Sequence, residues 1–102
     1  MIAVGYVGYF LSAHGKLCTE NGDFAVDDLT TCKEASKILG YEFRSTHGMA
    51  GWPKGCYEQY GNVYFNEHIS GSRQASASQI CEPIGKGLRS FLSSMDQKNW
   101  NN

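Results

Sequence analysis

The chain has 102 residues, 12 of them glycine and 13% aromatic, with nine basic against ten acidic side chains and a net charge of −1. This is one small domain, which buries a smaller share of its surface than a larger one would. The charges are scattered without a basic run, which excludes the electrostatic footprint that nucleic acid or an anionic membrane requires.

The opening stretch, MIAVGYVGYFLSA, is apolar but lacks the positive start of a signal peptide and is too short to span a bilayer. Val4, Tyr6, Gly8 and Phe10 alternate with Val7, Tyr9 and Leu11, which predicts a strand buried on both faces. Residues 13–25 are polar and carry the turn signals His14-Gly15 and Asn21-Gly22. The second is a hairpin-type pair, so Leu17-Cys18 and Phe24–Val26 are expected to pair as short strands.

The clearest helix is VDDLTTCKEASKILG. Asp28 can cap it, or Thr31 with Glu34 can form a capping box one turn later. Leu29, Cys32, Ala35, Ile38 and Leu39 make its apolar face, and Gly40 is the expected terminator. Residues 41–47 return as a strand. Pro53 forces Trp52 into an extended conformation. GCYEQYGNVYFN then reads as a hairpin around Gly61-Asn62, with Cys56, Glu58 and Tyr60 on one face and Tyr57 and Gln59 on the other.

Residues 67–78 form a Ser-rich loop long enough for a functional role, and Gln79–Glu82 is a last short strand. Pro83 suits the first turn of a helix over 83–96. Its apolar stripe is Ile84, Leu88, Phe91, Leu92 and Met95, which requires cover from the domain or from a second copy in a homo-oligomer. The tail 97–102 has no such pattern and is expected to fray.

Cys18, Cys32, Cys56 and Cys81 contain no CxxC spacing, which argues against structural zinc. An even number in a short chain points to two disulfides, an oxidising compartment and hence a secreted protein. Spacing alone leaves three connectivities open. Position favours Cys32–Cys56, joining the inner face of the helix to the hairpin, with Cys18–Cys81 closing early strand on late strand. The expected fold is α+β: one main helix on a curved antiparallel sheet over residues 1–82, followed by the amphipathic C-terminal helix.

The run Cys-Lys-Glu-Ala-Ser-Lys-Ile-Leu-Gly at 32–40, Gly55-Cys56-Tyr57 and the closing Ile80-Cys81 resemble the PAN/apple superfamily of secreted modules over about residues 6–82. The chain has fewer cysteines than that family usually carries, and the helix after Glu82 has no counterpart there. The resemblance implies a helix bound by disulfide to a small sheet and a non-catalytic role in binding protein or carbohydrate. It supplies no catalytic residue.

Chemistry-bearing motifs are sparse. His14, His47 and His68 are expected on turns or loops, none paired at helical spacing with another ligand-type residue, so no metal and no cofactor is assigned. His68 beside Glu67 is the one histidine–carboxylate neighbour pair. There is no G-x-S-x-G elbow, and Asp27-Asp28 suits a helix start better than a pair of catalytic acids. Trp52, Tyr57, Tyr60 and Tyr64 have two readings: a stacking platform or interface, or core and cross-strand pairs. Trp52 fits the core better, and the tyrosines divide evenly.

The expected function is therefore a non-enzymatic extracellular recognition module. Tyr57, Tyr60, Tyr64, His68 and Arg73 would contact a glycan, in lectin fashion, or a protein. The alternatives are self-association through the C-terminal helix, or a small secreted hydrolase or host-defence effector. With all four cysteines expected to pair, intact mass should rise by four hydrogens on reduction. Peptide mapping should recover Cys32 linked to Cys56; free thiols would remove the case for secretion.

Overall fold

The computed structural model describes residues 8–82. The expectations for Val4, Tyr6 and Val7, for the helix 83–96 with Ile84, Leu88, Phe91, Leu92 and Met95, and for the tail 97–102 lie outside the described residues. Six strands and one helix run in the order β1 (Phe10–Leu11), β2 (Phe24–Ala25), α1 (Leu29–Leu39), β3 (Glu42–His47), β4 (Gly55–Gln59), β5 (Asn62–Asn66) and β6 (Ser78–Glu82). The strands lie in the spatial order β1-β6-β4-β5-β3, with β2 also on β6.

The helix forms where its caps require it. The Asp28 carboxylate accepts from the Thr31 N–H at 3.0 Å, and Gly40, at φ 84°, ends the helix in the left-handed conformation. Cys32 and Ala35 turn inward. They pack with Tyr9, Val26, Cys56, Val63, Phe65 and Ile80 into one apolar core, with Leu29 and Leu39 at its margin. Ile38, expected on this face, is exposed instead, because it lies at the edge of the apolar arc, past the reach of the sheet. Disulfides Cys32–Cys56 and Cys18–Cys81 are the pairings that position favoured. Each constrains the unfolded chain by about 3–4 kcal/mol in the loop-entropy account.

Three expectations are corrected. The sheet is mixed, not wholly antiparallel: β3 and β5 are parallel, while β5–β4, β4–β6, β6–β1 and β6–β2 are antiparallel. The reason is topological. The connection 48–54 steps over the end of β5, so β3 and β4 flank it on opposite sides and run in opposite directions. Next, Leu17-Cys18 does not pair with Phe24–Val26. Cys18–Asn21 is a 3-10 turn that Gly22 ends at φ 80°, with the Leu17 N–H held by the Glu20 carboxylate at 2.8 Å. Cys18 is instead tied to β6 through its disulfide and through its N–H, which donates to Gln79 Oε1 at 2.7 Å.

Finally, the hairpin turn is Tyr60-Gly61, one residue earlier than expected, because Gln59 pairs with Asn62. Tyr60 therefore leaves the strand face on which alternation placed it. Both turn residues have positive φ, 52° and 83°, as the favoured two-residue hairpin turns demand, and Glu58 Oε2 accepts from the Gly61 N–H. Tyr60 is the one non-glycine residue at positive φ among the described residues. Asparagine tolerates that conformation far better than tyrosine. Tyr60→Asn should thus raise unfolding free energy by about 1 kcal/mol in urea titration, whereas Tyr60→Val should lower it.

Candidate functional site

Alternation along β4 and β5 sends Cys56, Val63 and Phe65 toward the helix, and Tyr57, Tyr64 and Asn66 to the opposite face. Tyr57 and Tyr64 are direct cross-strand neighbours and stack with centroids 5.4 Å apart and planes at 28°. Trp52 stacks on Tyr57 in turn, at 5.4 Å and 19°. His47, the last residue of β3, meets Tyr57 edge-on at 5.6 Å, and its Nε2 lies 2.5 Å from the Tyr57 hydroxyl. The result is an aromatic column on the face away from the helix. Tyr57, its middle ring, is 3% exposed, while Trp52, Tyr64 and His47 are half-buried.

Two loops are fastened over the end of this column by Asn66, which is buried. Its Oδ1 accepts from the Met49 and His68 N–H groups at 2.9 and 3.1 Å. Its Nδ2 donates to the carbonyls of Met49, Trp52 and Pro53 at 2.8–3.0 Å. Ser72 adds two bonds between the same loops, from its N–H to the Trp52 carbonyl and from its hydroxyl to the Ala50 carbonyl. Gly71, at φ 62°, lies so close to the Trp52–Lys54 backbone that a Cβ there would meet Lys54 N at 2.5 Å. On these fastened loops Met49 is 48% exposed and Ile69 is 85% exposed.

The residues marked from sequence are only partly brought together. Tyr57 and Tyr64 share the column. Tyr60 stands apart at the hairpin tip, 82% exposed. His68 shapes its own turn: Nδ1 accepts from the Ser70 and Gly71 N–H groups at 3.2 and 3.0 Å, which fixes the tautomer with the proton on Nε2. Arg73 is engaged elsewhere, with Nε on Glu20 Oε2 at 2.7 Å. That bond, with the Leu17 N–H, pulls the Glu20 carboxyl down to about 2. Arg73 thus ties its loop to the 3-10 turn.

Sequence reasoning missed Asn66, Met49 and Ile69, and it placed His47 on a loop and Trp52 in the core. Ile69 carried a usable signal, as the one large apolar residue in the polar stretch 67–78. Asn66 carried none, because a strand-ending asparagine gives no sign of what crosses above it.

Among the described residues, no three His, Cys, Asp or Glu side chains converge as metal ligands, and both disulfides leave no free thiol. A separate cleft of about 380 Å³ between β1 and the 3-10 turn is lined by Phe10, Leu11, Lys16, Leu17 and Asp23 among others, with no histidine in its wall. No helix among the described residues is long and apolar enough to cross a membrane. Comparison with protein-family models, with curated proteins and with solved structures finds no match to this chain.

Asn66→Ala removes five hydrogen bonds and takes away the partner of the Met49 and His68 N–H groups and of the Pro53 carbonyl, while the Trp52 and Met49 carbonyls keep the Ser72 and Trp52 N–H donors. Stability should fall by about 2–4 kcal/mol, measured by chemical denaturation. Ser72→Ala, at a more exposed position, should cost no more than about 1 kcal/mol.

Proposed function

We propose that the chain is a non-catalytic recognition module of an oxidising, extracellular setting, and that it binds a protein through the fastened loops and the rim of the aromatic column. The supporting observation is Ile69: a β-branched apolar side chain that is 85% exposed on a loop held by a buried carboxamide. Left in water, such a group contributes almost nothing to folding through burial. A preorganised apolar anchor, by contrast, loses little entropy when it enters a partner's pocket. Met49 lies on the neighbouring loop, and its N–H shares the acceptor Asn66 Oδ1 with His68.

Ring orientation favours protein over sugar here. A pyranose needs an open aromatic face, and Tyr57 has stacked neighbours and almost no exposure. The two disulfides support the oxidising setting, and the helix-to-sheet bridge is the feature shared with the PAN/apple modules that the sequence resembles.

A second reading, glycan binding, is favoured by Tyr60, whose ring is open to solvent and held in a backbone conformation that tyrosine resists. Probing arrays of extracellular proteins and of glycans with the purified chain separates the two. The expected result is saturable protein binding weakened at least about tenfold by Ile69→Asp, weakened by Met49→Asp, and unchanged by Tyr60→Ala. Glycan binding that Tyr60→Ala abolishes and Ile69→Asp spares would replace the protein reading with the second.

A further inference from the structure

We propose that His47 is a proton-operated latch: at neutral pH it holds the aromatic column closed, and on taking up a proton it releases the column and the loops above it. What is gated is the face assigned to protein recognition, so the biological consequence rests on that assignment, whereas the latch itself needs no ligand.

The geometry carries the inference. The His47 ring sits at the hydroxyl end of Tyr57, with Nε2 on the phenol and Nδ1 buried without a partner. A neutral imidazole tolerates this with its proton on Nε2, which donates to the phenol oxygen and leaves at Nδ1 only an unshared lone pair. A protonated imidazole carries N–H on both nitrogens. Nε2–H must then donate to Tyr57, whose own proton is turned away, and Nδ1–H remains buried with no acceptor, now bearing charge.

The surroundings offer the cation little. From β4 the ring is faced by Tyr57 and from β5 by Tyr64, both phenols. From the loop after β5, the Glu67 N–H donates to the His47 carbonyl, and the His68 imidazole is occupied with Ser70 and Gly71. Along β3 itself, Arg44 is 3.5 Å from Glu42. Among the described residues no carboxylate lies within ion-pairing distance of the imidazole. The edge of Tyr57, which the imidazole meets, is the positive rim of that ring and does not stabilise a cation.

Burial accordingly lowers the His47 pKa below its ordinary 6.5. A group with a depressed folded value whose charged form is the acid gives closure that is complete above the unfolded value. Closure is lost as pH falls from 6.5 through the folded value. Because His47 is the last residue before the connection 48–54, its departure frees the ring that braces Tyr57 and, through Tyr57, Trp52.

Trp52 reports the event. In a Trp100→Phe background it is the sole tryptophan of the chain. Its emission should shift reversibly to the red as pH is lowered from about 7.5 to about 5, with one proton taken up. His14→Gln and His68→Gln should keep the transition, and His47→Gln should abolish it. A transition that survives His47→Gln would overturn the latch. Should that variant fail to fold, the imidazole proton resonance of His47 in the otherwise unaltered chain decides. Titration below the ordinary histidine value in step with the Trp52 shift supports the latch, and titration at or above it overturns the latch. A column that opens while no protein binds sinks only the recognition reading; a pH-invariant column on a protein-binding face sinks only the latch.

Discussion

The crossing of one chain segment over the end of β5 is the constraint on which the rest of this structure depends. A hairpin partner on one side and a parallel partner on the other oblige the connection 48–54 to pass above β5. A crossing backbone brings polar groups that cannot all reach water or a ladder partner. Asn66 resolves this with a side chain that both donates and accepts. The same carboxamide takes in the start of the next loop, at His68. The strand pairing demands the crossing, and one amide holds in place the two loops that carry Met49 and Ile69.

The two faces of the sheet divide the work. Toward the helix, Cys32–Cys56 and the buried aliphatic residues supply cohesion that does not depend on the protonation of any side chain. Away from it, cohesion comes from stacked rings and a phenol–imidazole contact, whose imidazole is a group that can change charge near neutrality. Small domains have little stability to spare. Confining the responsive interactions to the face opposite Cys32–Cys56 leaves the helix-side core intact when that face rearranges.

Much of the fold was legible in the residues, and the reason is locality. The helix 29–39 announces itself because its cap Asp28, its terminator Gly40 and its apolar spacing all act within a few residues of one another. Cysteine pairing followed from placing Cys32 on that helix and Cys56 on the hairpin. What could not be read depends on contacts distant in sequence. The parallel β3–β5 pair leaves no mark on the alternation of either strand. The Asn21-Gly22 signal is a true turn, but the pull of Cys81 and Gln79 on Cys18 decides which strand its neighbours join. Alternation put Tyr57 and Tyr64 on the correct face, yet only the register of the hairpin, set one residue earlier by Tyr60-Gly61, made them stack and sent Tyr60 away. Arg73 looked available because Glu20, its partner, is so far back along the chain.

The disulfides are nested, Cys32–Cys56 lying inside the span closed by Cys18–Cys81. A single backbone cut anywhere between residues 18 and 81 therefore leaves every fragment covalently attached. A protease that cuts the exposed loop bearing Ile69 would produce a two-chain molecule, heavier by the one water taken up in hydrolysis, rather than two pieces. An opened loop is thus compatible with persistence of the domain as one covalent unit, and the cut shows as separate chains only once the disulfides are reduced.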